Sequence, residues 1–285
     1  MADVMMRFSG NLQKFLTEDE IRQRCPLVFA TSPTNSKVSE KYTVANTYTV
    51  IQDMEKLGWK VVRAAQRRAT KKSSGRFSYH MVALQNPDIK ITKQVDGGEE
   101  IVECFPQIIL TNSHDGLSCF QFRVGLYRCI CSNGLVISDA ELSEFKIRHI
   151  YYSFENLRAV VGRILEALPS KVERMSQMSN VLLSEDQKLD FAKKALSIRK
   201  GVKEEELQAD EETYKDLLTP VRKEDEGSSL WNVYNVLQEK IVKGGYTTAE
   251  EGKKARKVRK VTSFIKELDF SRRIDEVAQS YLMAA

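Results

Sequence analysis

Hydrophobic periodicity changes once along this chain, and that change bounds the fold. From Trp59 to Ile150, short apolar runs alternate with turn signals; beyond about residue 153 the apolar residues return at helical spacing. Runs at 59–69 and 77–85 flank Lys71-Lys72-Ser73-Ser74-Gly75, which predicts a hairpin with a basic tip. Runs at 89–95 and 100–105 flank Asp96-Gly97-Gly98, and runs at 108–112 and 117–131 flank His114-Asp115-Gly116. Asn133-Gly134 reads as another turn with a strand at 135–137 beyond it, and 145–150 closes the sheet. Ahead of the sheet, Thr17 to Ile21 is helix-like, 31–36 is a polar loop, and 46–57 is a helix that Asn46 or Thr47 caps and Gly58 ends.

The last part reads as helices. Phe154, Leu157, Val160, Val161, Ile164, Leu165 and Leu168 lie on one face, with Pro169 as an interruption. A helix at 181–198 has Ser184 as its cap, one at 230–243 stops at Gly244-Gly245, and a last one spans about 264–281. Residues 204–213 are polar enough to read as a mobile linker. The expectation is an α+β fold, in which an antiparallel hairpin-rich central sheet has an N-terminal helix and a helical C-terminal third. The segments are 1–40, a β-rich core at 41–152, and a helical region at 153–285 packed on that core.

Composition narrows the setting. The 285 residues are 42% hydrophobic, enough for a sizeable core, and 29% charged. No apolar run reaches the roughly 18 residues of a membrane span, and Met1 to Gly10 lacks a secretory apolar region, so a cytoplasmic protein without membrane contact is expected. Five cysteines, an odd number, argue against a disulfide framework.

The net charge of +5 is mild, but its distribution is uneven. Lys60, Arg63, Arg67, Arg68, Lys71, Lys72 and Arg76 have no acid among them, and a second cluster runs from Lys253 to Lys260. Such clusters are either solvated faces or a polyanion footprint. Trp59, Phe77 and Tyr79 accompany the first cluster, as stacking platforms for bases or as core residues.

Small polar residues interrupt the most apolar part of the chain. They are Thr111-Asn112-Ser113-His114-Asp115-Gly116, Cys131-Ser132-Asn133-Gly134, and Ile147-Arg148-His149. His114-Asp115-Gly116 is a hairpin turn in the plain reading and a base, phosphate or metal site in the functional one. With His80 and His149 it could form a histidine cluster for a metal-dependent hydrolase. Cys129 and Cys131 share a strand face, but a zinc site needs about four ligands, and no metal is assigned. No P-loop, dinucleotide fingerprint, nucleophile elbow or His-Glu-x-x-His is present, so no cofactor is expected.

The segments Ile108-Ile109-Leu110-Thr111-Asn112-Ser113-His114-Asp115-Gly116, Arg128-Cys129-Ile130-Cys131-Ser132-Asn133-Gly134-Leu135 and Phe145-Lys146-Ile147-Arg148-His149 resemble the phage-, plasmid- and prophage-encoded proteins grouped as DUF932. Tyr79-His80-Met81, Leu230-Trp231 and the stretch from Gln238 to Gly245 extend the likeness over about residues 40–245. The resemblance implies a mobile-element protein made in a bacterial cytoplasm and carries over no catalytic residue. Cys129 and the acidic insert near 203–213 depart from the pattern.

These observations lead to an expected function: binding of nucleic acid, single-stranded DNA above all, in replication or recombination of the annealing type. Lys60, Arg63, Arg67, Arg68, Lys71, Lys72, Arg76 and Arg148 would contact phosphate. Asn112, His114, Asp115, Gly116, Asn133 and Gly134 would fix turn geometry. The order of helix, hairpins and helix is similar to that of single-strand annealing proteins, with which a homo-oligomer is compatible. The alternatives are a metal-dependent nuclease or hydrolase using His80, His114, Asp115 and His149, and a protein-binding counter-defence factor.

Overall fold

A computed structural model describes residues 13–31, 46–67, 79–94, 100–114, 120–128, 133–136, 146–147, 152–249 and 254–285. The expected hairpin tips at 71–75, 96–98 and 115–116, the loop at 32–36, and Arg68, Lys71, Lys72, Arg76, Asp115, Gly116, Cys129, Cys131, Arg148 and His149 lie outside these residues. The fold is α+β, as the change of period predicts.

Two compact units divide the chain: Met1–Gly134 with Asp139–Leu168, and Leu135–Ser138 with Pro169–Ala285. The first holds α1 (Glu18–Arg24), a 3-10 turn (Pro26–Phe29), α2 (Thr47–Lys56) and the strands β1 (Lys60–Gln66), β2 (His80–Gln85), β3 (Ile91–Gln94), β4 (Glu100–Asn112) and β5 (Phe120–Arg128). Thr17 and Glu20 form a capping box at α1, and the Asn46 side chain caps α2 by accepting from the Tyr48 N–H. Gly58, at φ 84°, turns the chain from α2 into β1.

Among the described residues the strands form a seven-stranded sheet of path β1-β2-β4-β5-β6, where β6 is Asn133–Val136; β3 pairs with β4 and β7 (Lys146–Ile147) with β5. The three predicted hairpins pair antiparallel. One face of the sheet carries Val61, Ala64, Val82, Leu84, Ile108, Leu110, Phe120, Phe122 and Val124. Ile21, Val50, Ile51, Met54 and Trp59 complete this core with Leu157, Val160, Val161, Ile164 and Leu168. Tyr152 donates a hydrogen bond to Asp53 at 2.6 Å and ties the approach to the following helix to α2.

Four expectations need correction. The runs at 100–105 and 108–112 are one strand of 13 residues, β4. Pro106 lies where one flank of β4 changes partner: β4 pairs with β3 up to Cys104 and with β2 from Gln107, so among the described residues no strand pairs with that flank at Pro106. Asn133-Gly134 opens strand β6 and is not a turn, since sheet pairing overrides the local turn preference. Pro169 does not break its helix: α3 runs as 27 residues, Phe154–Asn180. Packing holds it on both sides, through Leu168 before the proline and Met175 and Met178 after it.

The fourth correction concerns the acidic stretch, which is ordered. A 3-10 turn (Glu204–Glu206) precedes α5 (Glu211–Leu218), whose N–H at Thr213 bonds the Asp210 carboxylate at 2.9 Å. The second unit also holds α4 (Glu185–Lys200), α6 (Leu230–Lys243), the short pair β8 (Thr247–Thr248) and β9 (Arg256–Lys257), and α7 (Phe264–Ala284). Ser184 and Gln187 form a capping box, and Gly201 ends α4 at φ 71°. Among the described residues no helix is long and apolar enough to cross a membrane.

β1 contains one irregularity of consequence. The register skips Val62, so that Val61 faces Leu84, Arg63 faces Ala83 and Ala64 faces Val82. Val61 and Ala64 both belong to the core cluster. Arg63 therefore projects from the opposite face, as does Lys60.

Candidate functional sites: a buried histidine pair and two basic surfaces

His80 opens β2 and stands directly opposite Asn112, the last residue of β4. Asn112 donates from Nδ2 to the Thr47 hydroxyl at 2.9 Å and accepts the Ser113 N–H at 2.7 Å. The same hydroxyl is 2.8 Å from His80 Nε2. His114 follows one residue beyond Ser113, its ring centroid 5.0 Å from that of His80. His114 Nε2 lies 3.0 Å from the Leu27 carbonyl; a carbonyl only accepts, so that nitrogen carries a proton. Leu27 in turn gives its N–H to the Gln66 side chain at 3.1 Å.

This arrangement is a buried polar network at one end of the main core. Thr47, His80, Asn112 and His114 are each 0% exposed. Chemistry on an external substrate needs access, and these four side chains are fully buried; hydrogen-bonded polar groups in such a place specify packing. The histidines His80 and His114 do meet, as the hydrolase reading requires. The other two members of that set, Asp115 and His149, lie outside the described residues. Among the described residues, no group of three or more His, Cys, Asp or Glu could hold a metal ion. Thr111, next to Asn112, points to the other face and accepts from Arg123 at 3.0 Å.

Sequence reasoning names Thr47 only as a cap. Asn46 takes the cap, which leaves the Thr47 hydroxyl to the network. A buried hydroxyl in a first helical turn whose cap is already supplied is the one signal that points to it. Cys25 is buried as well, and burial pushes its thiol up to about 12, which makes it inert at neutral pH.

The basic clusters behave differently. Lys60 on β1 and Arg67 just after it are exposed, and Arg63 on β1 is half-buried. Lys60 Nζ lies 5.5 Å from the Phe15 ring centroid. Trp59 is 1% exposed and belongs to the core, so it offers no stacking face, whereas Tyr79 is half-buried. Arg67 continues the hairpin pairing through its N–H to the Tyr79 carbonyl at 2.9 Å.

In the second unit, Lys254, Arg256, Lys257, Arg259 and Lys260 are all exposed. Their backbone is an ordered ribbon. Thr247 pairs with Lys257 and Thr248 with Arg256, and Val258 bonds Tyr246 and Gly245 at 2.8 and 2.9 Å. Among the described residues, none of these five side chains pairs with a carboxylate, nor do Lys60 and Arg67. Helical cations elsewhere commonly have an acid one turn away, as in Lys188–Glu185, Lys194–Asp190, Lys215–Glu212 and Arg272–Glu276.

A family model described as "Domain of unknown function (DUF932)" matches residues 35–264. Two relatives come from Escherichia coli (strain K12). "UPF0380 protein YafZ" is 29% identical over 254 residues, 89% of this chain and 85% of the relative. "UPF0380 protein YfjQ" is 30% identical over 234 residues, 81% of this chain and 78% of the relative. No solved structure matches the chain.

Proposed function

The chain belongs to the DUF932 family, and within it we propose that this protein binds nucleic acid, single-stranded DNA in particular, through the backbone phosphates. One observation carries the reading. Lys60, Arg67, Lys254, Arg256, Lys257, Arg259 and Lys260 are exposed and, among the described residues, held apart from every carboxylate. Cations paired with acids on a helix surface are already neutralised; unpaired cations on strands and in the segments beside them are available to displace counterions from a polyanion. The absence of any P-loop signature in the sequence favours passive binding or annealing over nucleotide-driven work. A role in replication or recombination of a mobile element, in a bacterial cytoplasm, is the setting this reading assumes.

The test is fluorescence anisotropy with labelled single- and double-stranded DNA over a salt series. Tight, salt-steep binding that prefers single strands is the expected result. The double variant R256E/K257E should lower affinity at least about tenfold and reduce the salt slope by about 0.7 per lost phosphate contact. R67E/R68E tests the first unit in the same way. An absence of binding at low salt overturns the proposal.

A further inference from the structure

The second unit contains a cavity of about 350 Å³, at the low end of the volumes that hold small ligands. Its walls come from three places. Arg199 stands near the end of α4; Lys260, Thr262 and Ser263 lie between β9 and α7; Lys266 and Phe270 belong to the first two turns of α7.

Arg199 is fixed in place. It donates from Nη1 to the Ile241 carbonyl at 2.8 Å and from Nη2 to the Arg259 carbonyl at 2.6 Å. Its guanidinium lies 5.7 Å from the Phe270 ring centroid. Carbonyls orient the group without cancelling its charge. Lys260 and Lys266 are exposed, and among the described residues neither pairs with a carboxylate. The cavity thus brings three uncompensated cations together with two hydroxyls and one half-buried aromatic ring.

That combination has a chemical meaning. Cations alone would suit any anion, and a ring alone would suit any apolar group. Cations beside an aromatic face match a phosphate linked to a planar base, the repeating unit of a single strand. We propose that the cavity receives one nucleotide unit of a single-stranded nucleic acid, its phosphate between Lys260 and Lys266 and its base against Phe270. This deepens the binding function proposed above and rests on it. In a duplex the bases are stacked on each other, so a site of this kind distinguishes single from double strands.

The experiment uses the full chain and a labelled oligothymidylate in a salt series, with K260E/K266E and F270L as the variants. Lys260 and Lys266 are exposed, so the double charge reversal leaves the fold in place. Phe270→Leu keeps an apolar side chain while removing the aromatic face. For K260E/K266E we expect at least about tenfold weaker binding and a salt slope shallower by about 1.4, the sum for two contacts. For F270L we expect about tenfold weaker binding with the slope unchanged, because no charge is lost. Thymidine monophosphate should compete better than inorganic phosphate.

Wild-type affinity and slope in K260E/K266E, while R256E/K257E still weakens binding, would overturn the cavity assignment and leave the general reading standing. Equal competition by inorganic phosphate would also overturn it, as would a preference for duplex. Failure of the wild-type protein to bind DNA at low salt would remove both.

Discussion

His80 and His114 lie with their rings 5.0 Å apart, yet each engages a different element through Nε2: His80 the Thr47 hydroxyl of α2, and His114 the Leu27 carbonyl of the 3-10 turn. The pair joins two segments that precede the sheet to the ends of two adjacent strands. Its position makes it a fastening of the first unit, and the Thr47 hydroxyl is the group both Asn112 and His80 depend on.

Thr47→Val keeps the shape of that side chain and removes the hydroxyl. Asn112 and His80 would each lose a partner inside the core, at about 1–3 kcal/mol for each buried polar group left unsatisfied. Urea unfolding should show a loss of about 2–4 kcal/mol in total. A change below about 0.5 kcal/mol would mean that water or another group replaces the hydroxyl.

Glu239 sits on α6 at 7% exposure, and Arg222 grips its carboxylate at 2.5 and 2.6 Å, with Lys243 at 3.2 Å. Burial alone would raise this carboxyl; the hydrogen bonds from Arg222 and the charge of Lys243 outweigh it and hold the carboxyl below its usual range. A carboxyl depressed in the folded state contributes stability above its unfolded value, and that stability fades as pH falls through the folded value. Glu239→Gln should therefore cost on the order of 3 kcal/mol at neutral pH. The gap from wild type should narrow as pH drops below about 4.5. Urea midpoints across a pH series measure this, and a gap independent of pH would show that the charge is not what Glu239 supplies.

Two glycines should respond in opposite directions. At Gly244 (φ 70°), an added Cβ would come within 2.5 Å of the Val258 carbonyl oxygen and 2.8 Å of the Arg259 backbone. Gly244→Ala should destabilise by more than about 1 kcal/mol, because both the backbone angle and the close approach oppose it. Gly162 lies inside α3 and meets nothing within 4 Å, so Gly162→Ala should stabilise by about 0.5–1 kcal/mol. Thermal melts of the two variants shifting in the same direction would contradict this account.

Pro169 lacks the N–H that would bond the Leu165 carbonyl, and its ring crowds that carbonyl. Replacing it with alanine should raise stability by up to about 3 kcal/mol. A lower stability in Pro169→Ala would mean that the packing on either side of the proline relies on the proline ring itself.

The readable parts of this fold are those set by local chemistry. Ser184 as a cap, Gly244-Gly245 as the end of α6, and the hairpins around Asp96-Gly97-Gly98 and His114-Asp115-Gly116 follow from neighbouring residues alone. What the sequence hides depends on distant partners. The runs at 100–105 and 108–112 read as separate until β2 and β3 are seen to share one flank of β4. The acidic stretch reads as a linker because Asp210 is a cap only once α5 exists to be capped. The same holds for the sites. The basic clusters are visible as charge runs, but Thr47 joins His80 and Asn112 across 33 and 65 residues. Arg199 reaches Ile241 and Arg259 across 42 and 60, and no periodicity records such contacts.

The skipped residue at Val62 acts as a phase shift. Lys60 has an even number and Arg63 and Arg67 odd ones, so strict alternation would divide these cations between two surfaces. One unpaired residue resets the count. Val61 and Ala64, odd and even, both reach the core, while Lys60 and Arg63 share the other side. The cationic edge of the sheet is thus a property of where the strand slips, and parity in the sequence is a poor guide to which charges act together.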